Sequence, residues 1–152
     1  MTAPHSIFTV MAITVADLDR ATRFYRDAFG FIERNTTRPN GGAAGVAARF
    51  IQKDATVIEL VEFTTPLPPN RSELPMGQAG TVSHIVFNVA DLRETEAAVL
   101  ASGGTIVDST RVAMELAGLG PVEIVYARDP DGAWIELCSI DEAARLRYGG
   151  LE

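Results

Sequence analysis

Three side chains in this 152-residue sequence have the chemistry of metal ligands and sit in strand-like runs: Glu59, His84 and Glu136. Glu59 lies on one face between Val57 and Val61, and Glu136 between Trp134 and Cys138. A carboxylate in the middle of an apolar strand is costly if buried alone, so it either faces solvent or has something to compensate it. His84 shares a strand face with Val82 and Val86. Taken singly, a hydrogen-bonded histidine and two solvated strand glutamates are the ordinary explanations. Taken together, two carboxylates and an imidazole suit a divalent ion such as Zn²⁺, Ni²⁺, Co²⁺, Mn²⁺ or Fe²⁺. A cation would also remove the repulsion between converging carboxylates.

The elements that must position these residues occur twice. Val15-Ala16-Asp17-Leu18 returns 74 residues later as Val89-Ala90-Asp91-Leu92, and Ile58-Glu59-Leu60 returns 77 residues later as Ile135-Glu136-Leu137. A run of period two precedes each aspartate, Ile7 to Val15 and Ser83 to Val89, which predicts a strand. Asp17 and Asp91 are N-cap residues for the helices expected next. Those helices end at Gly30 and at Gly103 or Gly104, where glycine accepts the left-handed turn. Three strands follow in each copy, near 31–36, 46–52 and 56–63, then near 105–109, 122–127 and 133–139. The last two of each copy are joined by hairpin turns at Lys53-Asp54 and Asp129-Pro130-Asp131-Gly132.

The fold expected is α+β, with two βαβββ modules forming a curved mixed sheet around a central cavity. The first module spans 7–63, a Pro-rich linker 64–80, the second module 81–140 and a tail 141–152, all within one structural domain. The cavity would be lined by the first and last strands of each module, which carry Glu59, His84 and Glu136.

A hydrophobic fraction of 47% gives material for a sizeable core, and a net charge of -7 argues against a nucleic-acid or anionic-membrane partner. No apolar run reaches the ~18 residues of a membrane span, and Met1 to Ser6 lacks the pattern of a secretory signal. With Cys138 as the single cysteine, no internal disulfide forms and a cytoplasmic location is expected.

Three segments carry a family resemblance: Val15-Ala16-Asp17-Leu18 with Phe24-Tyr25 and Phe29-Gly30-Phe31, then His84 with Val89-Ala90-Asp91-Leu92, then Asp129 through Leu137. In order and spacing they resemble the vicinal oxygen chelate superfamily, which includes glyoxalase I, methylmalonyl-CoA epimerase, extradiol dioxygenases and drug-binding resistance proteins. The resemblance implies metal ligands on the first and last strands of both modules, here Glu59, His84 and Glu136. The fourth position, seven residues before Asp17 as His84 is seven before Asp91, is Val10, which cannot ligate. His5, five residues from Val10, points to the opposite face of an extended strand. The segment from Gly45 to Glu59 is most similar to the epimerase branch, but that branch implies a further catalytic glutamate near Ala48, and alanine cannot move a proton.

The expected activity is that of a metal-dependent, glyoxalase-like lyase or isomerase/epimerase. It would act on a small oxygenated substrate through a metal-stabilised enolate, with Glu59 or Glu136 as base. The alternatives are a non-catalytic protein that binds a drug or natural product, and an extradiol-type dioxygenase. Phe50, Phe87, Tyr126 and Trp134 are candidate substrate-stacking surfaces, against ordinary core packing. Arg49 and Glu123 are expected on solvated strand faces, Cys138 as a small buried hydrophobe, and Ala113 to Gly120 as a loop or a lid. A homodimer is expected, and the resemblance leaves open whether the site is completed within one chain or across the dimer.

Overall fold

The computed structural model describes residues 10–37, 45–63, 83–116 and 120–140. His5, the whole of the expected linker and the C-terminal tail lie outside them. The first module comprises β1 (Met11–Val15), α1 (Leu18–Phe29), β2 (Ile32–Thr37), β3 (Val46–Lys53) and β4 (Thr56–Phe63). The second comprises β5 (Ile85–Val89), α2 (Leu92–Ala101), β6 (Thr105–Leu116), β7 (Gly120–Arg128) and β8 (Trp134–Ser139). The strands form two four-stranded sheets, ordered β1-β4-β3-β2 and β5-β8-β7-β6. In each, the first strand runs parallel to the last and the remaining pairings are antiparallel. The α+β class and the repeated βαβββ order agree with the sequence.

The helices begin where the aspartates place them. Asp17 accepts from the Arg20 amide at 2.8 Å and Asp91 from the Glu94 amide at 2.9 Å, each satisfying a donor that the first turn leaves free. A second donor at the start of α1, the Leu18 amide, is met by Glu62 of β4 at 2.9 Å. Gly30 closes α1 at φ 75, while α2 is capped by Ser102 with Gly103 at φ 89.

Each helix covers one face of its own sheet. Ile58 and Leu60 of β4 and Ile135 and Leu137 of β8 are buried beneath the helices. Strand side chains alternate, so Glu59 and Glu136 face away from the helix layer. The modules join through that layer, α1 packing on α2 over a common apolar core. Phe24, Tyr25, Phe29 and Phe31 form an aromatic cluster, and Phe87 of β5 stacks on Phe29 with centroids 4.4 Å apart. Burying side chains of this size contributes about 1.5–3 kcal/mol each, so this is the interface the chain makes with itself. On the faces turned away from the helices, Phe63, Val86, Val112 and Met114 are each 39–46% accessible, while Val122 and Cys138 are buried.

Several expectations are corrected by these contacts. Phe87 belongs to the inter-module core and points away from the His84 face, because it alternates with it along β5. Arg49 is buried beneath α1, paired with Asp19 at 2.8 Å and bonded to the Thr22 hydroxyl at 2.9 Å, so it anchors the helix and is not solvated. Glu123, by contrast, does stand on a solvated face as expected, where it accepts from Arg93 at 3.1 Å and Arg111 at 3.2 Å in a surface ion network tying β7 to α2 and β6. The expected lid is mostly strand: Ala113 to Leu116 continue β6 and Gly120 opens β7. A register shift between Val107 and Val112 lets β6 run on past Ser109.

Candidate metal half-sites

On the face of the second sheet turned away from α2, the Nε2 of His84 stands 3.1 Å from Oε2 of Glu136. Both side chains are largely enclosed, 23% and 14% accessible. The other ring nitrogen of His84, Nδ1, lies 2.8 Å from the Ser83 hydroxyl, which fixes the ring plane and leaves Nε2 turned toward the glutamate. The first and last strands lie side by side in parallel register, Val86 opposite Glu136, and His84 is two residues before Val86 on that same face. That register brings together two residues more than fifty positions apart in the chain.

Tyr126 closes the group. It is the register partner of Glu136 across β7 and β8 and donates its hydroxyl to Oε2 at 2.5 Å. Desolvation first, then the bond to the carboxylate and its charge, push the phenol up to about 12, so it remains a donor through the neutral range. Its ring meets the His84 ring edge-on at 5.2 Å and the Trp134 ring at 6.1 Å, and the Arg128 guanidinium lies 3.8 Å over Trp134. Tyr126 and Trp134 therefore stand beside the candidate ligands, where an aromatic wall was expected, and the tyrosine adds a polar contact that stacking alone does not suggest.

Glu59 occupies the matching place in the first sheet. It faces Ala12 of β1 and Phe50 of β3 in register and has no hydrogen-bond or ion-pair partner among the described residues. By alternation Val10 and Ala48 lie on this same face. Among the described residues no three of His, Cys, Asp and Glu are grouped to hold an ion, so Glu59 does not join His84 and Glu136 within the chain. The cause is the module interface. The helices meet in the interior, and the donor-bearing sheet faces look outward.

The paired donors suit a divalent ion. The 3.1 Å contact of His84 Nε2 with Glu136 Oε2 is a hydrogen-bond distance, and it keeps an imidazole nitrogen and a carboxylate, both donors such an ion takes, in one place. Glu59 is the carboxylate at the corresponding place on the other sheet.

The first module helps hold the second module's half. Tyr25 of α1, wholly buried, donates to Asp129 Oδ2 at 3.0 Å, and Arg20 pairs with Asp131. Asp129 Oδ1 in turn accepts from the Asp131 and Ala133 amides at 2.9 and 2.8 Å. These bonds shape the turn from which β8 carries Trp134 and Glu136. Burial is the main reason the Asp129 carboxyl is raised above its usual range.

A family model described as Glyoxalase/Bleomycin resistance protein/Dioxygenase superfamily matches residues 7–137. A lactoylglutathione lyase of Haemophilus influenzae is 32% identical over 124 residues, 82% of this chain and 85% of that protein. A probable lactoylglutathione lyase of Vibrio parahaemolyticus is 28% identical over 134 residues, 87% of this chain and 89% of that one. The crystal structure of a glyoxalase family protein from Bacillus cereus superposes with a TM-score of 0.75 at 20% identity, covering 92% of this chain and 98% of that one, a likeness of fold. With a family model spanning most of its length and relatives aligned almost end to end, the chain belongs to the glyoxalase/bleomycin resistance/dioxygenase superfamily.

Proposed function

We propose that this protein is a metal-dependent, glyoxalase-like lyase or isomerase/epimerase acting on a small oxygenated molecule, and that its site is completed between two copies of the chain. The observation that carries the reading is the 3.1 Å approach of His84 Nε2 to Glu136 Oε2 on the sheet face turned away from α2. The missing carboxylate, Glu59, lies on the equivalent face of the other module. A two-fold pairing that lays the first sheet of one copy over the second sheet of its partner would bring Glu59 to His84 and Glu136 twice over. It would also cover the exposed Val86, Val112, Met114 and Phe63.

A divalent ion held by His84, Glu136 and Glu59 supplies Lewis acidity toward a carbonyl oxygen when bound. The chain's own groups do the rest. Glu59, without a described partner, is free to take a proton from the carbon beside the carbonyl and return it to a neighbouring carbon. His84 is oriented by Ser83, and Tyr126, Trp134 and Phe50 wall the site against water. The lactoyl group in the names of both relatives has a hydroxyl next to a carbonyl, which fits a substrate with vicinal oxygens. Cys138, buried and unpaired, suits a reducing compartment, and the cytoplasm is the location proposed.

Metal analysis of purified protein, with Glu59→Ala, His84→Ala and Glu136→Ala alongside, tests this reading. One equivalent of a divalent metal per chain, lost in each variant, is the expected result. Protein that stays metal-free and binds a planar aromatic tightly would favour the drug- or natural-product-binding alternative, to which Val10 in the fourth corner lends weight.

A further inference from the structure

The repeat allows a comparison one residue at a time around the two glutamates. Across the hairpin, Glu59 faces Phe50 and Glu136 faces Tyr126. The positions are equivalent, and the side chains differ by one hydroxyl. We propose that Tyr126 is a positioning residue whose hydroxyl locks Oε2 of Glu136, making Glu136 the fixed carboxylate of the site and Glu59 the one free to move. This rests on the metal-site reading above and adds a division of labour between the two glutamates.

The bond itself is short. At 2.5 Å it is at the tight end of charge-assisted O–H to carboxylate bonds, which run about 2.5–2.7 Å. The donor is also fixed at both ends. The Tyr126 amide donates to the Thr110 hydroxyl at 2.9 Å, and that hydroxyl donates to the Val107 carbonyl at 2.6 Å. Thr110 therefore fills the interruption in the β6–β7 ladder between Val107 and Val112 and ties the Tyr126 backbone across it. At the other end of the side chain, the ring is held between His84 and Trp134.

The geometry also says which bond survives a bound ion. A ligating imidazole turns its Nε2 lone pair to the metal, so the His84 contact to Oε2 is given up. The Tyr126 bond makes no such demand, because the hydroxyl is not a candidate ligand. One carboxylate oxygen stays anchored while the other is left for the ion, the arrangement in which outer partners raise ligand order. Glu59 has Phe50 in the corresponding place and so lacks such an anchor among the described residues.

The test is a Co²⁺ titration of the full-length protein against a chromophoric chelator, for native protein and Tyr126→Phe, with the visible Co²⁺ bands recorded. Phenylalanine preserves the ring, and circular dichroism with a urea melt confirms folding. The expected result is an affinity lower by ~10–100-fold, as for loss of an outer-shell partner, together with altered visible bands, which a purely structural role for the ring would leave unchanged. Equal affinity and identical bands in Tyr126→Phe would overturn the proposal while leaving the metal site standing. Native protein that takes up no Co²⁺ would overturn both. A second measurement does not depend on the variant folding: native metal-free protein should show an exchange-protected tyrosine hydroxyl proton far downfield in its NMR spectrum. Absence of that signal also overturns the proposal.

Discussion

In the second module an imidazole stands seven residues before the capping aspartate and a phenol stands opposite the strand glutamate; in the first module those places hold Val10 and Phe50. The backbones follow the same plan, with the same strand order and the same aspartate caps. What differs is how much chemistry each sheet carries on its outer face. The second module presents a connected set, Ser83, His84, Glu136 and Tyr126, whereas the first presents Glu59 with no partner among the described residues. The comparison teaches that a duplicated scaffold need not duplicate its site. One half carries a hydrogen-bonded set of polar groups while the other carries a single carboxylate at the matching place.

The largest effect comes from making the second module resemble the first. His84→Val gives β5 the residue found at the equivalent place, and metal affinity should fall by more than the ~10–100-fold typical of losing an outer-shell partner, measured by chelator competition. Stability should fall most at the second module's helix-to-strand turn. A Cβ on Gly104 would come within 2.7 Å of the Arg128 carbonyl and of the Phe24 ring, so Gly104→Ala should cost about 3 kcal/mol in a urea melt. Gly30, the first module's helix-ending glycine, meets only Lys53 Nζ at 3.8 Å but has φ 75, and Gly30→Ala should cost about 1 kcal/mol from backbone strain alone. Comparable losses for the two alanines would mean that the modules are not packed through Phe24 as described.

Between these in size is the bond linking the modules. Tyr25→Phe leaves Asp129 Oδ2 without its buried donor, a loss of about 2 kcal/mol. The metal stoichiometry should survive, because the Asp129 amide bonds still form the turn. The smallest effect is alkaline. The Tyr126 phenol is pushed up from 10.0 to about 12 in the folded chain, so between those values the native state holds a proton that the unfolded state has released. Its stabilising contribution is complete below about pH 10 and is lost as pH rises toward 12. Replacement by Tyr126→Phe should flatten the decline in that window, read from urea midpoints across the pH series.

The elements were largely legible because they are written locally. The caps at Asp17 and Asp91, the glycine at the end of α1 and the period-two runs each depend on a few adjacent residues. The nearness of His84 and Glu136 was expected from placing both on the first and last strands of a module, and the parallel pairing of β5 with β8 is what brings them together. Tyr126 opposite Glu136 was there to be found by counting outward from the Asp129 turn, which pairs Arg128 with Trp134 and so Tyr126 with Glu136. What a local pattern could not supply was the way the modules meet. That depends on Phe24, Tyr25, Phe29, Phe31 and Phe87 joining in one core, and on where Arg49 finds its acidic partner. Glu59 looked like a neighbour of His84 because modules folded face to face would place it so, and the helix-to-helix contact places it otherwise. Phe87 alternates with His84 along β5, so only one of the two could line a cavity, and Phe87 is the one that joins the core.

The account stands on Glu59 of one copy serving His84 and Glu136 of another, and mixing two defective variants measures this directly. Glu59→Ala and Glu136→Ala, each unable to hold metal alone, are unfolded together, refolded as a mixture and assayed for bound metal. Random pairing makes half the dimers mixed, each with one intact site and one doubly defective site, so about a quarter of the native metal content should return. No recovery from a mixture shown to have exchanged subunits would contradict a site shared between copies.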